Sequence, residues 1–580
     1  MTADLRKLST GRADYYVREV ARDHEEYLSG HGESPGQYLG KGSAALGKHG
    51  VCSEEEFRRL FAWQHPDTGQ QLGRAPRSDA MPAWDLVLRP VKDVAILYGL
   101  GDQHTSRAAR HAHDVGVREA VAYLDGQVGT RRGRGGAEHV CGAGLVVVGF
   151  THRVSRAGDP LPHDHLIIIN RTQGPDGVWR TLDSRDLLAH RLAADAVYRA
   201  AYQRELSRTL GIEWGEPDRW GNRPIVGMPQ ELVKRFSKRH EQITAELERL
   251  AREEGKQRTG KLVQYVAHAT RQPKTQETPE TLHGRWQQEA RECGFDPERL
   301  LGQVCGRVRQ PPERLNPEGR TVRRVFNQLA CPEGLTEQAS TFTRAEVLVA
   351  LGNNLVAVDA AELGALADRF CAERAVPVVG EPAARERRYT TPELLQVEQR
   401  LIAAGVDRAG EHTAVCSHQS VRAALAAYPT IGKDQEAMVR DLTQGGAGVA
   451  LVVGKAGTGK TYALGAARHA WQLDGYRVLG AAPTGIATVS LDSEGFEHPR
   501  TVDALLAELD AEQHPGRRRA REHRGDHGDH RGDRQEGPVL DQRTVLVVDE
   551  AGMLGSRKLA RLQEHAQRAG AKLVLVGDDR

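Results

Sequence analysis

The chain has 580 residues, 39% of them hydrophobic and 27% charged, with a formal net charge of +2. That length allows three or four domains, each with its own core. No apolar run approaches the ~20 residues of a membrane helix, and the polar start MTADLRKLST lacks the apolar stretch of a secretory signal. The expectation is therefore a cytoplasmic protein with no membrane insertion. Seven scattered cysteines without C-x-x-C spacing argue against a disulfide framework or a zinc module. With charge so nearly balanced, any nucleic-acid surface must come from local clusters of Arg and Lys.

Taken in chain order, residues 1–240 mix strand patterns at 84–89, 145–150 and 165–170 with helical ones. The β-branched runs LVVVGF (145–150) and HLIIIN (165–170) predict two strands joined through RVSRAGDPLP at 153–162. Such a hairpin brings His152 beside His163 and His165. Strand side chains alternate, so His163 and His165 share a face and Asp164 points to the other. Three imidazoles then converge as a metal site with open coordination positions, able to act as a Lewis acid on a phosphoryl oxygen. In a chain with 24 histidines an H-x-H pair alone is weak evidence, as readily a surface or core pair.

A helix is predicted over 185–210, with Asp183 or Ser184 as N-cap and Gly211 as stop. Residues 230–258 are highly charged with sparse apolar positions, which predicts an exposed helix at the start of a connecting arm. Residues 241–420 read as a helical accessory region and linker, punctuated by Pro and Gly, with no chemical motif.

Residues 421–580 alternate apolar strands (449–453, 477–482, 544–548, 572–576) with helical stretches, which predicts a parallel sheet covered by helices. The Arg-rich insert at 513–537 cannot bury a core and is expected to be a disordered, solvated loop. Gly454-Lys455-Ala456-Gly457-Thr458-Gly459-Lys460-Thr461 follows a strand and opens a helix, the context of a phosphate-binding loop. In that reading glycines let backbone N–H groups wrap the phosphates of ATP, Lys460 reaches the β and γ oxygens, and Thr461 gives a hydroxyl to Mg²⁺. The apolar run ending in Asp549-Glu550 supplies the partner carboxylates. Asp549 would hold the metal through water and Glu550 would polarise the attacking water.

Gln435, the loop at 454–461, Ala482-Pro483-Thr484-Gly485, Asp549-Glu550-Ala551-Gly552-Met553 and Gly577-Asp578-Asp579 together resemble the first motor domain of RecD-like helicases. The resemblance implies a RecA-like fold, an adenine contact from Gln435 and a single-stranded DNA contact from 482–488. A complete motor needs a second RecA-like domain, and the sequence stops at Arg580 just after the strand at 572–576. The expectation is an incomplete, C-terminally truncated motor that binds nucleotide without efficient unwinding.

Residues 1–240 resemble the relaxase domain of the MobF (TrwC/TraI-type) conjugative relaxases, an α+β HUH fold on an antiparallel sheet. The likeness is carried by Tyr15-Tyr16 in GRADYY, GESPGQYLGKG at 32–42, AWDLVLRPVKDVAILYGLGD at 83–102 and HRVSRAGDPLPHDHLIIIN at 152–170. It implies a tyrosine that attacks single-stranded DNA at a plasmid transfer origin and becomes joined to the 5′ phosphate. A divalent metal, Mg²⁺ or Mn²⁺, would sit on His152, His163 and His165. Tyr15 is the first choice of nucleophile and Tyr16 the next; Tyr27 matches a second tyrosine group, and Asp85 an acid that orients a histidine or helps take the tyrosine proton. Accessory conjugation proteins and a coupling ATPase are the implied partners.

Three departures stand out. Tyr27 lies in Glu26-Tyr27-Leu28 rather than in a tyrosine pair, Asp164 replaces a usually neutral residue, and RPVKDV at 89–94 replaces a Ser-rich segment, leaving Asp93 without a role. The competing readings are a RecD-like repair ATPase whose N-terminal region only binds DNA, and a non-enzymatic DNA-binding or decoy product.

Overall fold

The computed structural model describes residues 2–9, 35–256, 258–270, 278–308, 315–379, 386–455, 457–513 and 540–578. They fall into two units, Met1–Leu329 with Phe342–Tyr389, and Ala330–Thr341 with Thr390–Arg580. The chain is a mixed α/β protein.

The first unit is built on strands β1 (Ala3–Lys7), β2 (Gly36–Leu39), β3 (Val51–Cys52), β4 (Ala83–Leu88), β5 (Val147–Val154) and β6 (Pro160–Ile169). They form one antiparallel sheet in the order β1-β4-β6-β5-β2-β3. Period-two alternation sorts the central strands between two cores. Trp84, Leu86, Leu88, Val147, Leu166 and Ile168 face one, and Ala83, Val148, Phe150, Ile167 and Ile169 face the other. The first core is closed by helices α1 (Lys92–Leu100), α2 (Gln103–Asp125) and α3 (Ser184–Leu210), and α4 (Lys238–Glu254) and α5 (Pro279–Glu292) follow.

The predicted helix at 185–210 is α3. The Asp183 side chain accepts from Arg185 N at its start, and Gly211 ends it in the left-handed conformation (φ 61°). The histidine hairpin is longer than expected. β5 runs to Val154 and β6 starts at Pro160, because cross-strand pairing carries the ladder through residues whose polarity and proline had read as turn. The charged stretch at 230–258 is two helices rather than one, Gln230–Arg235 and α4. Leu232 and Phe236, both fully buried, pin the first to the core and turn the chain. In the region expected to be only helical, short strands Phe342–Thr343 and Arg388–Thr390 pair antiparallel.

The second unit holds helices α6 (Lys433–Gln444) and α7 (Lys460–Leu473) and strands β7 (Val449–Val453), β8 (Arg477–Ala482), β9 (Glu497–Thr501), β10 (Thr544–Val548) and β11 (Lys572–Gly577). Its sheet is parallel, in the order β7-β11-β10-β8-β9. Four of these strands were predicted and β9 was not. Both faces of its central strands are covered: Val545, Val547, Val574 and Val576 enter one core, Leu546, Val548 and Leu573 the other. The insert expected to be disordered lies, from 514 onward, outside the described residues. Among the described residues no helix is long and apolar enough to cross a membrane.

Candidate active site

The alternation that sorts the two cores also gathers the site. His152 continues the Phe150 face of β5, His163 and His165 the Ile167 face of β6, and Asp85 the Ala83 face of β4. His152 and His163 are direct cross-strand partners. Ring centroids stand 5.1 Å apart for His152 and His163, 5.0 Å for His152 and His165, and 5.4 Å for His163 and His165. Their nearest ring nitrogens lie within 4.8 Å of one another.

The opposite ring edges are occupied. His163 Nδ1 donates to Leu161 O at 2.8 Å, and His165 Nδ1 donates to both Asp85 carboxylate oxygens at 2.9 Å. A carbonyl or carboxylate oxygen can only accept, so both Nδ1 atoms carry a proton, and in a neutral ring the lone pair then lies on Nε2. Burial, helped by the neighbouring His165, pushes the His163 imidazole down to about 3, which keeps it neutral at ordinary pH. Three imidazoles on one face, two with Nδ1 committed to an acceptor and one of those backed by a carboxylate, are a donor set that fits a divalent cation.

Asp164 faces the other way, toward α2. Its carboxylate lies 3.3 Å from Arg110 Nη2 and 3.3 Å from His113 Nε2. Burial opposes its charge, yet Arg110 and His113 hold it below the usual carboxylate range. His113 Nδ1 bonds the Tyr198 hydroxyl at 2.7 Å, and Arg110 also donates to Thr151 Oγ1 at 3.0 Å. Arg110 and His113 were missed in the sequence. Their only signal is a polar pair at i, i+3 on a helix whose neighbours on that side are buried. Asp93 also acquires a structural role: its buried carboxylate accepts from Ile225 N at 2.8 Å.

Tyr15, Tyr16 and Tyr27 lie outside the described residues.

Two further clusters occur in this unit. His139, Asp183 and Asp186 lie close enough to share an ion, but Asp183 already accepts from Arg131 at 2.7 Å and Asp186 from Gly129 N at 3.1 Å. They tie a two-stranded ribbon to the start of α3. A cleft of about 470 Å³ is lined by Arg74, Arg77, Arg131, Arg171 and Arg180 with Trp63 and Trp179. The Arg171 guanidinium sits 3.7 Å above the Trp63 ring. This is the local basic clustering that overall charge concealed.

In the second unit the loop after β7 turns into α7. Gly457 (φ 80°) and Gly459 (φ 75°) adopt backbone conformations that side-chain-bearing residues avoid. Thr458 Oγ1 donates to Lys455 O at 2.8 Å, and Lys460 bonds Gly454 O and the Asp578 carboxylate. Thr461 is the second residue of α7. Gln435, on α6, donates to Thr458 O and Gly459 O at 3.2 Å each, so it stands against the loop. Asp549 follows β10, its N–H bonded to Ala481 O at 2.9 Å; Glu550 takes a left-handed backbone (φ 51°), a strained setting for a non-glycine residue.

Comparison with known proteins agrees with this division. Residues 9–293 match the TrwC relaxase family and residues 430–580 match an AAA domain. The conjugal transfer protein TraA of Agrobacterium fabrum is 34% identical over 191 residues, 33% of this chain and 15% of that protein. The multifunctional conjugation protein TraI of Escherichia coli is 28% identical over 355 residues, 59% of this chain and 19% of that protein. The aligned part is thus less than a fifth of either relative. A solved structure of the conjugative relaxase TrwC in complex with oriT DNA, metal-bound, is 26% identical with a TM-score of 0.44, covering 51% of this chain and 99% of that one. The chain therefore joins a TrwC relaxase domain, residues 9–293, to an AAA domain, residues 430–580.

Proposed function

We propose that the first unit nicks and rejoins single-stranded DNA at a plasmid transfer origin through a tyrosine ester, and that the second binds ATP as part of a helicase-type motor. The observation that carries this reading is the set of three imidazoles on one sheet face, two with Nδ1 held by Leu161 O and Asp85. His152, His163 and His165 would hold Mg²⁺ or Mn²⁺, which when bound neutralises charge on a scissile phosphate. Asp85 accepts from His165 Nδ1 through both oxygens, which supports an orienting role.

The tyrosine hydroxyl, Tyr15 first and Tyr16 next, attacks phosphorus. A phenolic O–P bond forms, the P–O3′ bond breaks, and the proton leaves with the 3′ hydroxyl. The ester keeps the energy of the phosphodiester, so the strand can be resealed, with Tyr27 as candidate for that second transfer. The match that begins at residue 9 takes in all three tyrosines. The arginine-lined cleft beside Trp63 supports nucleic acid as the partner, with phosphates on guanidinium groups. Accessory conjugation proteins and a coupling ATPase are proposed as further partners, on the resemblance alone. In the second unit Gln435 would read adenine, Gly454, Gly457, Thr458, Gly459 and Lys460 cradle the phosphates, Thr461 and Asp549 hold Mg²⁺, and Glu550 polarises water.

The test is incubation of the full chain with Mn²⁺ and labelled single strands tiling transfer-origin DNA. A denaturant-resistant adduct is expected, lost in the Tyr15→Phe, Tyr16→Phe, Tyr27→Phe variant. No adduct with any strand favours the repair-ATPase reading instead, and one that survives in that variant overturns the assignment of these tyrosines.

A further inference from the structure

The ladder between β5 and β6 is regular up to the His152–His163 pair and then shifts register before Val154 meets Pro160. Past that irregularity the hairpin closes through Ser155 N to Asp159 O at 2.9 Å and Gly158 N to Ser155 O at 3.0 Å. Within the turn, Ser155 Oγ accepts from Ala157 N at 3.2 Å and Asp159 N at 3.1 Å.

Three helices hold the three residues that close the hairpin. From α5, Trp286 Nε1 and Arg285 Nη2 both donate to Gly158 O at 2.8 Å. From α4, Lys238 Nζ lies 3.4 Å from the fully buried Asp159 carboxylate and 2.6 Å from Glu289 on α5, linking the two helices. From α1, Lys92 Nζ donates to Pro160 O at 3.0 Å, and Gly99 packs so tightly that an added Cβ would stand 2.6 Å from Pro160 Cβ. Trp286 is itself buried, 3% exposed. These charged and polar groups converge on a turn, where surface loops ordinarily meet water. Nothing in the histidine chemistry uses them directly.

We propose that this three-helix clamp is a positioning device for the histidine site, with Trp286 its central member: by fixing residues 158–160 it sets the distance between His152 on one strand and His163 on the other. The inference rests on the reading of the histidines as metal ligands. A positioned ligand set binds its ion more tightly and in one geometry, whereas a loose hairpin lets the imidazoles spread.

The experiment is titration of the full chain with Co²⁺, reading affinity and the visible d–d absorption bands that report coordination geometry. Trp286→Phe keeps the ring and removes the N–H, and Trp286→Phe/Arg285→Met removes both donors to Gly158 O. Lys92→Met loosens the same turn from another helix. Val121→Ala, in the α2 core, is a destabilised control remote from the hairpin.

The expected result is a loss of Co²⁺ affinity of about threefold in the single Trp286 variant and about tenfold in the double, below or at the low end of losing a direct ligand partner. Altered bands should appear in these and in Lys92→Met, and unchanged bands in Val121→Ala. Wild-type bands and affinity in the double variant and in Lys92→Met would overturn the clamp. So would equal changes in Val121→Ala, which would reduce the effect to general loosening. Wild-type protein that binds Co²⁺ no better than His152→Ala overturns the ligand reading itself, and is separately recognisable because it needs no clamp variant.

Discussion

Asp85 offers the sharpest test of the histidine site. It is 3% exposed, and both its oxygens lie 2.9 Å from His165 Nδ1. Asp85→Asn keeps an oxygen that can accept from Nδ1 but removes the charge that raises ligand basicity. Asp85→Ala removes the acceptor as well and leaves a buried N–H unpaired, a cost of about 1–3 kcal/mol. Loss of such outer partners typically weakens metal binding 10–100-fold, or about 1.4–2.8 kcal/mol. We expect Mn²⁺ binding to the full chain, followed by calorimetric titration, to weaken about tenfold in Asp85→Asn and toward a hundredfold in Asp85→Ala. His152→Ala should abolish it. An Asp85→Ala variant that binds Mn²⁺ like wild type would refute the claim that the carboxylate fixes the ring.

Other consequences can be measured independently. Arg110→Met removes the guanidinium from the buried Asp164 carboxylate, leaving it His113 and the Thr151 hydroxyl, and should cost about 2–4 kcal/mol in urea unfolding; adding Asp164→Asn should recover most of it. Lys572 is fully buried, and burial pushes its ammonium down to about 8. Its folded pKa lies below the unfolded value, so the folded state binds fewer protons between about pH 8 and 10.5 and stability should rise with pH there, by at most about 3 kcal/mol. Lys572→Met should lack that rise when unfolding is followed across the same range. Lys460→Ala should weaken binding of a fluorescent ATP analogue more than about tenfold, since the phosphates lose their ammonium partner; unchanged affinity would remove Lys460 from the phosphate site.

Much of this was legible in the sequence because the relevant signals are local. The alternation in HDHLIIIN at 163–170 placed His163 and His165 on one face and Asp164 on the other, and the two cores on either side of β6 follow that parity. The cap and stop of α3 and four strands of the parallel sheet were likewise local signals. The partners of buried polar groups were not. Asp164 meets Arg110 from 54 residues away and Asp93 meets Ile225 from 132. Such pairs have no period and no motif, only the fold that brings them together. Strand ends failed for a related reason: Val154 and Pro160 sit in a polar segment with Gly and Pro that reads as turn, but an opposing strand overrode local preference. Trp286 carried no sequence signal, since a tryptophan on a charged helix reads as packing.

The opposition of His152 and His163 across two antiparallel strands also makes chemistry depend on correct threading. Were β6 to slide by one residue, His163 and His165 would turn under the sheet toward α2, and Asp164 and Leu166 would emerge in their place. A mis-threaded molecule would thus present a carboxylate and an aliphatic chain where the imidazoles belong. On the proposed reading of the histidines, only chains that have settled into the native frame would carry the metal site.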